Sequence, residues 1–168
     1  NAIATDHEVR LADMNTAEEN DSLAALIDGF SPDIIGLSLR NVDNGDTTDP
    51  KGFIFGYKKL VKEIRDHSSA PLVLGGSGFT LFPREIMTAL GAEYGIIGEG
   101  ERLSLLLGAI EGGGELSNIP GVITQGMNGA APAPWPRNFT RGFYKNSSFL
   151  QFYLKNGGML NLQTKRGC

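Results

Sequence analysis

The feature of this sequence that most narrows its fold is a repeated order: a short apolar run, a polar or glycine-rich turn, then an amphipathic helical pattern. Asp33-Ile-Ile-Gly-Leu-Ser38 is followed, after a polar loop from Leu39 to Pro50, by Phe53, Tyr57, Leu60, Val61 and Ile64 at helical spacing, to about Asp66. Ala70-Pro-Leu-Val-Leu74 leads through Gly75-Gly-Ser-Gly78 into a helix that accepts Pro83 in its first turn, turns Ile86, Met87 and Leu90 inward and stops at Gly91. Tyr94-Gly-Ile-Ile97 leads through Gly98-Glu-Gly-Glu101 into Leu103, Leu106, Leu107 and Ile110. An earlier unit of the same kind is predicted at the start. It has a strand over Glu8–Asp13, a capping box at Thr16-Ala-Glu-Glu19 and a helix through Leu23, Leu26, Ile27 and Phe30, with Gly29 as its stop. Strands that are apolar on both faces, each followed by a helix, predict an α/β fold with a doubly wound, mostly parallel sheet.

Such sheets bind ligands at the carboxyl ends of their strands, where the loops are free of packing duties. Here those ends are Ser38–Asp46, Gly75–Phe82 and Gly98–Glu101. The first offers a hydroxyl, a guanidinium and an amide at Ser38, Arg40 and Asn41, all able to bond a polar ligand edge, or else to satisfy the turn itself. The glycines of the second let the backbone come close, either to a ligand or to a neighbouring strand and helix. Their spacing is neither the dinucleotide fingerprint nor a phosphate-binding P-loop. Asp43, Asp46 and Asp49 lack the glycine and terminal glutamate of a calcium loop and read as solvated. Glu99 and Glu101 suit a helix N-terminus better than acid–base work, and His7 and His67 suit the surface better than a metal. No catalytic triad or metal cluster assembles from the sequence.

With 168 residues, 40% hydrophobic and 20% charged, the chain has the composition of one ordinary soluble domain. Its net charge of −4 lacks the basic footprint that nucleic-acid binding requires. No apolar run approaches the roughly 20 residues of a membrane span, and the N-terminus has no secretory pattern, so a cytoplasmic setting is expected. The one cysteine, Cys168, has no internal disulfide partner. Asn1-Ala2 without an initiator methionine, and a cysteine at the last position, lead to the expectation that the natural protein is longer in both directions. After Glu111-Gly-Gly-Gly114 the pattern loosens. Gly121-Val-Ile-Thr124 is predicted as a strand, and Ala130-Ala-Pro-Ala-Pro-Trp-Pro136 as an extended connector. Phe139, Phe143, Tyr144, Phe149, Phe152 and Tyr153 make the remainder an irregular aromatic and proline-rich extension.

Taken together, Pro32-Asp-Ile-Ile-Gly-Leu-Ser-Leu-Arg-Asn41, Pro71-Leu-Val-Leu-Gly-Gly-Ser-Gly-Phe79 and Tyr94-Gly-Ile-Ile-Gly-Glu-Gly-Glu101 resemble the cobalamin-binding domains that precede radical S-adenosylmethionine domains. The resemblance covers residues 8 to 112 and implies a flavodoxin-like (Rossmann-like) sheet holding cobalamin on its strand-end loops. It implies cofactor-facing positions at Ser38, Leu39, Arg40 and Asn41, at Gly75, Gly76, Ser77, Gly78 and Phe79, and at Gly98, Glu99 and Gly100. Leu160-Asn-Leu-Gln-Thr-Lys-Arg-Gly-Cys168 resembles the first strand of a radical domain, which makes Cys168 the first thiolate of a four-iron four-sulfur cluster that also binds S-adenosylmethionine.

On this resemblance residues 3–112 form the cobalamin-binding-like domain, whose first strand and helix lie before residue 1. Residues 113–158 form a linker with a short β segment, and 159–168 open the radical domain, the expected partner. The fragment alone is expected to be non-catalytic, within a parent radical enzyme that transfers methyl groups or closes rings. The Asp-x-His-x-x-Gly motif, whose histidine binds cobalt in some relatives, is absent. Two other readings stay open: a cofactor-free domain that docks substrate or partner, and a flavodoxin-like or receiver-like module.

Overall fold

The computed structural model of the chain describes residues 7–14, 22–43, 52–127, 129–133 and 148–157. They form a four-stranded sheet in the order β1 (Ile35–Ser38), β2 (Leu72–Gly75), β3 (Tyr94–Ile96) and β4 (Val122–Thr124). The first three strands are parallel, with Ser38 level with Gly75, and β4 returns antiparallel to β3. Helices α1 (Leu23–Phe30), α2 (Ile54–His67), α3 (Ser77–Leu81), α4 (Pro83–Leu90) and α5 (Leu103–Gly112) surround the sheet, and α6 (Ser148–Gly157) follows.

Alternation along β2 distributes the core. Leu72 and Leu74 face one side with Ile27, Ile64, Phe79 and Met87 of α1 to α4, while Val73 faces the other with Ile96, Val122 and Leu106 of α5. Because β2 is covered on both sides, its residues 72–74 are all buried, as a parallel strand within an α/β sandwich requires. The expected doubly wound, mostly parallel fold is therefore the observed one. The strand expected at 121–124 is part of this sheet, with Val122 wholly buried, so the packed core continues past residue 112.

Two expectations need correction. Glu8–Asp13 form no strand, and Val9 and Leu11 are exposed. Alternating residues become a strand only where a neighbouring backbone completes the ladder. The contacts of this segment are made by side chains instead: His7 with Glu111, Arg10 over the Phe30 ring, and Asp13 with Tyr153. Helix α1 runs through Gly29 and ends at Ser31, whose φ is 49°, whose amide bonds Ile27 O and whose hydroxyl donates to Asp28 O. Pro32 prevents continuation. The described start of α1 is capped by Ser22, which accepts from the Ala25 amide. The capping box at 16–19 lies outside the described residues.

Glu93, in the turn before β3, ties three elements together. It accepts two bonds from Arg65 of α2 and one from the Leu72 amide that opens β2. Its partial burial alone would raise the carboxyl pKa. The Leu72 amide and the Arg65 guanidinium outweigh that and hold it below the usual glutamate value.

Candidate functional site

The carboxyl ends of β1, β2 and β3 lie along one rim, and backbone bonds fasten the β1 and β2 loops to each other. The amide of Leu39 donates to Gly75 O, and that of Gly78 donates to Leu39 O. The Ser77 hydroxyl donates to Arg40 O, and the Tyr57 hydroxyl donates to Asn41 O, drawing the β1 loop over the start of α2.

The glycines explain how the loops fit so closely. Gly76 stands at φ +96°, and a Cβ there would lie 2.5 Å from Leu39 O. At Gly78 it would lie 3.0 Å from the Arg40 carbonyl carbon. The close approach that the sequence leaves open is thus, at these two positions, an approach of protein to protein. Gly100, by contrast, has nothing within 4 Å of a Cβ position, and Gly98, at φ +84°, has only the Arg102 guanidinium at 3.5 Å.

Of the residues singled out from sequence, Ser38, Arg40, Asn41, Ser77, Gly98 and Gly100 are exposed on this rim, and Gly75, Gly76 and Glu99 are partly so. Leu39 and Phe79 are 1% and 0% exposed as whole residues and belong to the core, so neither presents side chain or backbone at the surface of the rim. Gly78 is buried beneath the β1 loop. Asp46, Asp49 and Cys168 lie outside the described residues. Among the described residues no group of three or more His, Cys, Asp or Glu is placed to hold a metal ion, and no helix is long and apolar enough to cross a membrane.

Three features of the rim lie outside the cofactor-facing positions named from the sequence. Phe53 and Phe55 at the start of α2, and Leu81 and Phe82 between α3 and α4, are exposed large apolar side chains at this same end of the sheet. Phe53 has the spacing of Tyr57, Leu60 and Ile64 and is expected from sequence on the inward face of α2, but it stands at the N-cap before the first turn and is 38% exposed. Arg102 is 3% exposed and donates to Ala133 O, fastening the segment after β4 beside the Gly98 turn. Thr80, in the last turn of α3, links two loops through its hydroxyl, and no sequence signal announces it.

The opposite end of the sheet holds a shallow cleft of about 550 Å³ lined by Asp28, Ser31, Asp33 and His67. Both histidines of the chain are remote from the rim. His67 ends α2 and pairs with Asp28 at 3.1 Å, and His7 sits 3.6 Å from Glu111 near the end of α5. Both helices run back from the rim.

Comparison with known proteins agrees with this arrangement. Residues 2–106 match the B12 binding domain family. The tryptophan 2-C-methyltransferase of Streptomyces laurentii is 33% identical over 114 residues, which are 63% of this chain and 19% of that protein. Two structures of the radical S-adenosylmethionine methyltransferase TsrM from Kitasatospora setae are similar to it. The one with tryptophan and a S-adenosylmethionine analogue bound is 31% identical, with a TM-score of 0.58 over 67% of this chain and 22% of that one. The one with cobalamin and a four-iron four-sulfur cluster is 32% identical, with a TM-score of 0.55 over 66% of this chain and 20% of that one. The chain thus spans about one fifth of the length of the relatives it matches. With residues 2–106 matching and the strand-end rim in place, the chain belongs to the B12 binding domain family.

Proposed function

We propose that the rim formed by the β1, β2 and β3 loops holds cobalamin and orients it for a radical S-adenosylmethionine enzyme of which this domain is one part. The observation that carries the reading is the fastening of the β1 and β2 loops to each other, with the β3 turn tied to α3 through Thr80, in a chain whose residues 2–106 match the B12 binding family. The corrin ring is broad and flat with amide-bearing arms, and the rim suits both aspects. Backbone without side chains at Gly75, Gly98 and Gly100 allows close approach. Exposed Ser38, Arg40, Asn41 and Ser77 offer donors and acceptors to amides, and Phe53, Phe55, Leu81 and Phe82 offer apolar surface beside them.

When bound, cobalamin supplies a cobalt able to carry a methyl group. The domain's own residues supply binding and orientation. By analogy with its relatives, the parent reaction is methyl transfer to a carbon centre, and Cys168 is the first thiolate of the iron–sulfur cluster, completed by residues beyond it. The cofactor-free docking alternative calls for bulky side chains over the β2 loop. Leu39 and Phe79, which flank that loop, point into the core, while Leu81 and Phe82 stand exposed beside it, so the binding measurement decides between the two readings.

The test is equilibrium binding of hydroxocobalamin to the purified protein, followed by visible absorption and by co-elution on gel filtration. Binding at about one cobalamin per chain, weakened when Gly100 is enlarged, supports the reading. Absence of co-elution at micromolar concentrations sinks it.

A further inference from the structure

The β2 and β3 loops touch through one hydroxyl group. Thr80 Oγ1 donates to Gly76 O at 3.0 Å and accepts from the Gly98 amide at 3.1 Å. A hydroxyl has one hydrogen and two lone pairs, so a single atom serves both bonds. The Gly76 carbonyl also accepts the Thr80 amide at 3.1 Å within the helix, so α3 retains its backbone bond whatever side chain stands at 80. Gly98 is otherwise lightly held. It is exposed, its φ is +84°, and the nearest atom to its Cβ position is the Arg102 guanidinium. Gly76, in turn, is seated rigidly on the Leu39 backbone. Thr80 therefore connects a fixed loop to a lightly held one.

We propose that Thr80 is a positioning residue that sets the Gly98–Gly100 turn against the Gly75–Gly78 loop, so that the two present one continuous surface to the cofactor. The inference rests on the reading of the rim as the cobalamin site. A bond of this kind has a net worth of about 1 kcal/mol, equivalent to roughly a fivefold change in an equilibrium. That is the size of effect its loss produces in loop opening and in cofactor binding.

Thr80→Val removes the hydroxyl at constant shape, and Thr80→Ser retains it without the methyl group. The first measurement is amide hydrogen exchange by NMR on the protein without cofactor. In Thr80→Val the Gly98 amide is expected to exchange about fivefold faster and the Leu74 amide in β2 to quicken by no more than that factor, and Thr80→Ser is expected to stay close to the parent. The second is hydroxocobalamin affinity, expected to weaken about fivefold in Thr80→Val and to recover in Thr80→Ser. Unchanged Gly98 exchange in Thr80→Val overturns the proposal, as does exchange that quickens more across β2 than at Gly98, which marks a general loss of stability. Faster Gly98 exchange with undiminished cobalamin affinity also overturns it. Failure of the parent protein to bind cobalamin removes the rim reading and with it the positioning role, even if exchange shows the tie itself to be intact.

Discussion

At Gly76 the backbone adopts φ +96° and ψ 171°, a region that essentially only glycine occupies, and the space a Cβ needs is taken by Leu39 O at 2.5 Å. Neither a rotamer change nor a side-chain shift relieves a clash with backbone. Gly76→Ala is therefore expected to lower stability by about 3 kcal/mol, through backbone strain and overpacking together, as read from urea unfolding. Gly100 is the contrasting case. Its Cβ position meets nothing within 4 Å, so Gly100→Ala is expected to leave the free energy of unfolding, read from urea, within about 0.5 kcal/mol of the parent, as surface substitutions do. If cobalamin lies over this turn, the same substitution weakens its binding, and a bulkier Gly100→Leu weakens it further. The sequence marks every glycine alike as a place of close approach. Which ones approach protein and which face open space depends on how Leu39 and Arg40 cross the β2 loop, a tertiary fact with no local signal. Thr80 is hidden for the same reason, since its partners lie four residues before it and eighteen after.

At the scale of elements, the helices and parallel strands are legible because burial imposes their periods. Leu72, Val73 and Leu74 are apolar since both faces of β2 are covered, and Val61 and Ile64 share the buried face of α2. The segment 8–13 carries the same alternation without the fold's use of it, because extended residues need a paired neighbour that periodicity does not reveal. Packing between elements is tight at Gly95, where a Cβ would strike the Phe79 ring and press on Ile123 and Met87. Since Phe79 is wholly buried, its ring has little room to retreat. Gly95→Ala is expected to cost about 2 kcal/mol by thermal or urea denaturation.

The Glu93 link between α2, β2 and the turn before β3 adds a pH dependence. Its folded pKa lies below the unfolded one, so its contribution is fully present above the unfolded value of about 4.3 and disappears as pH falls through the folded value. Because the Glu93 side chain is 44% exposed, solvent screens the ion pair. Glu93→Gln is thus expected to cost only about 1 kcal/mol near neutrality. Urea midpoints of parent and variant should converge as pH falls below the ordinary glutamate range and through the lowered folded value. A difference that persists undiminished into acid would mean that the carboxylate's charge contributes nothing.

For the whole molecule, topology separates two ends that the sequence lists side by side. Each helix that follows a parallel strand begins at the rim and returns to the amino ends, so a residue at its close is removed from the rim by the helix length. For α2, with 14 residues, that is about 20 Å, farther than an imidazole reaches. His67 and His7 both sit at such returns, beside Asp28 and Glu111, and these are the chain's two histidines. A rim-bound cobalamin consequently finds no imidazole of this chain within reach of its cobalt. His7→Ala and His67→Ala, alone or combined, are expected to leave both the visible spectrum of the bound cobalamin and its affinity unchanged. Stability should fall by no more than about 1 kcal/mol, because the carboxylate of each pair is solvent-exposed. A shift of the cobalamin spectrum in His67→Ala would carry a different meaning. It would move the cofactor to the cleft between the ends of α1 and α2, and the three fastened loops at the carboxyl rim would need another ligand.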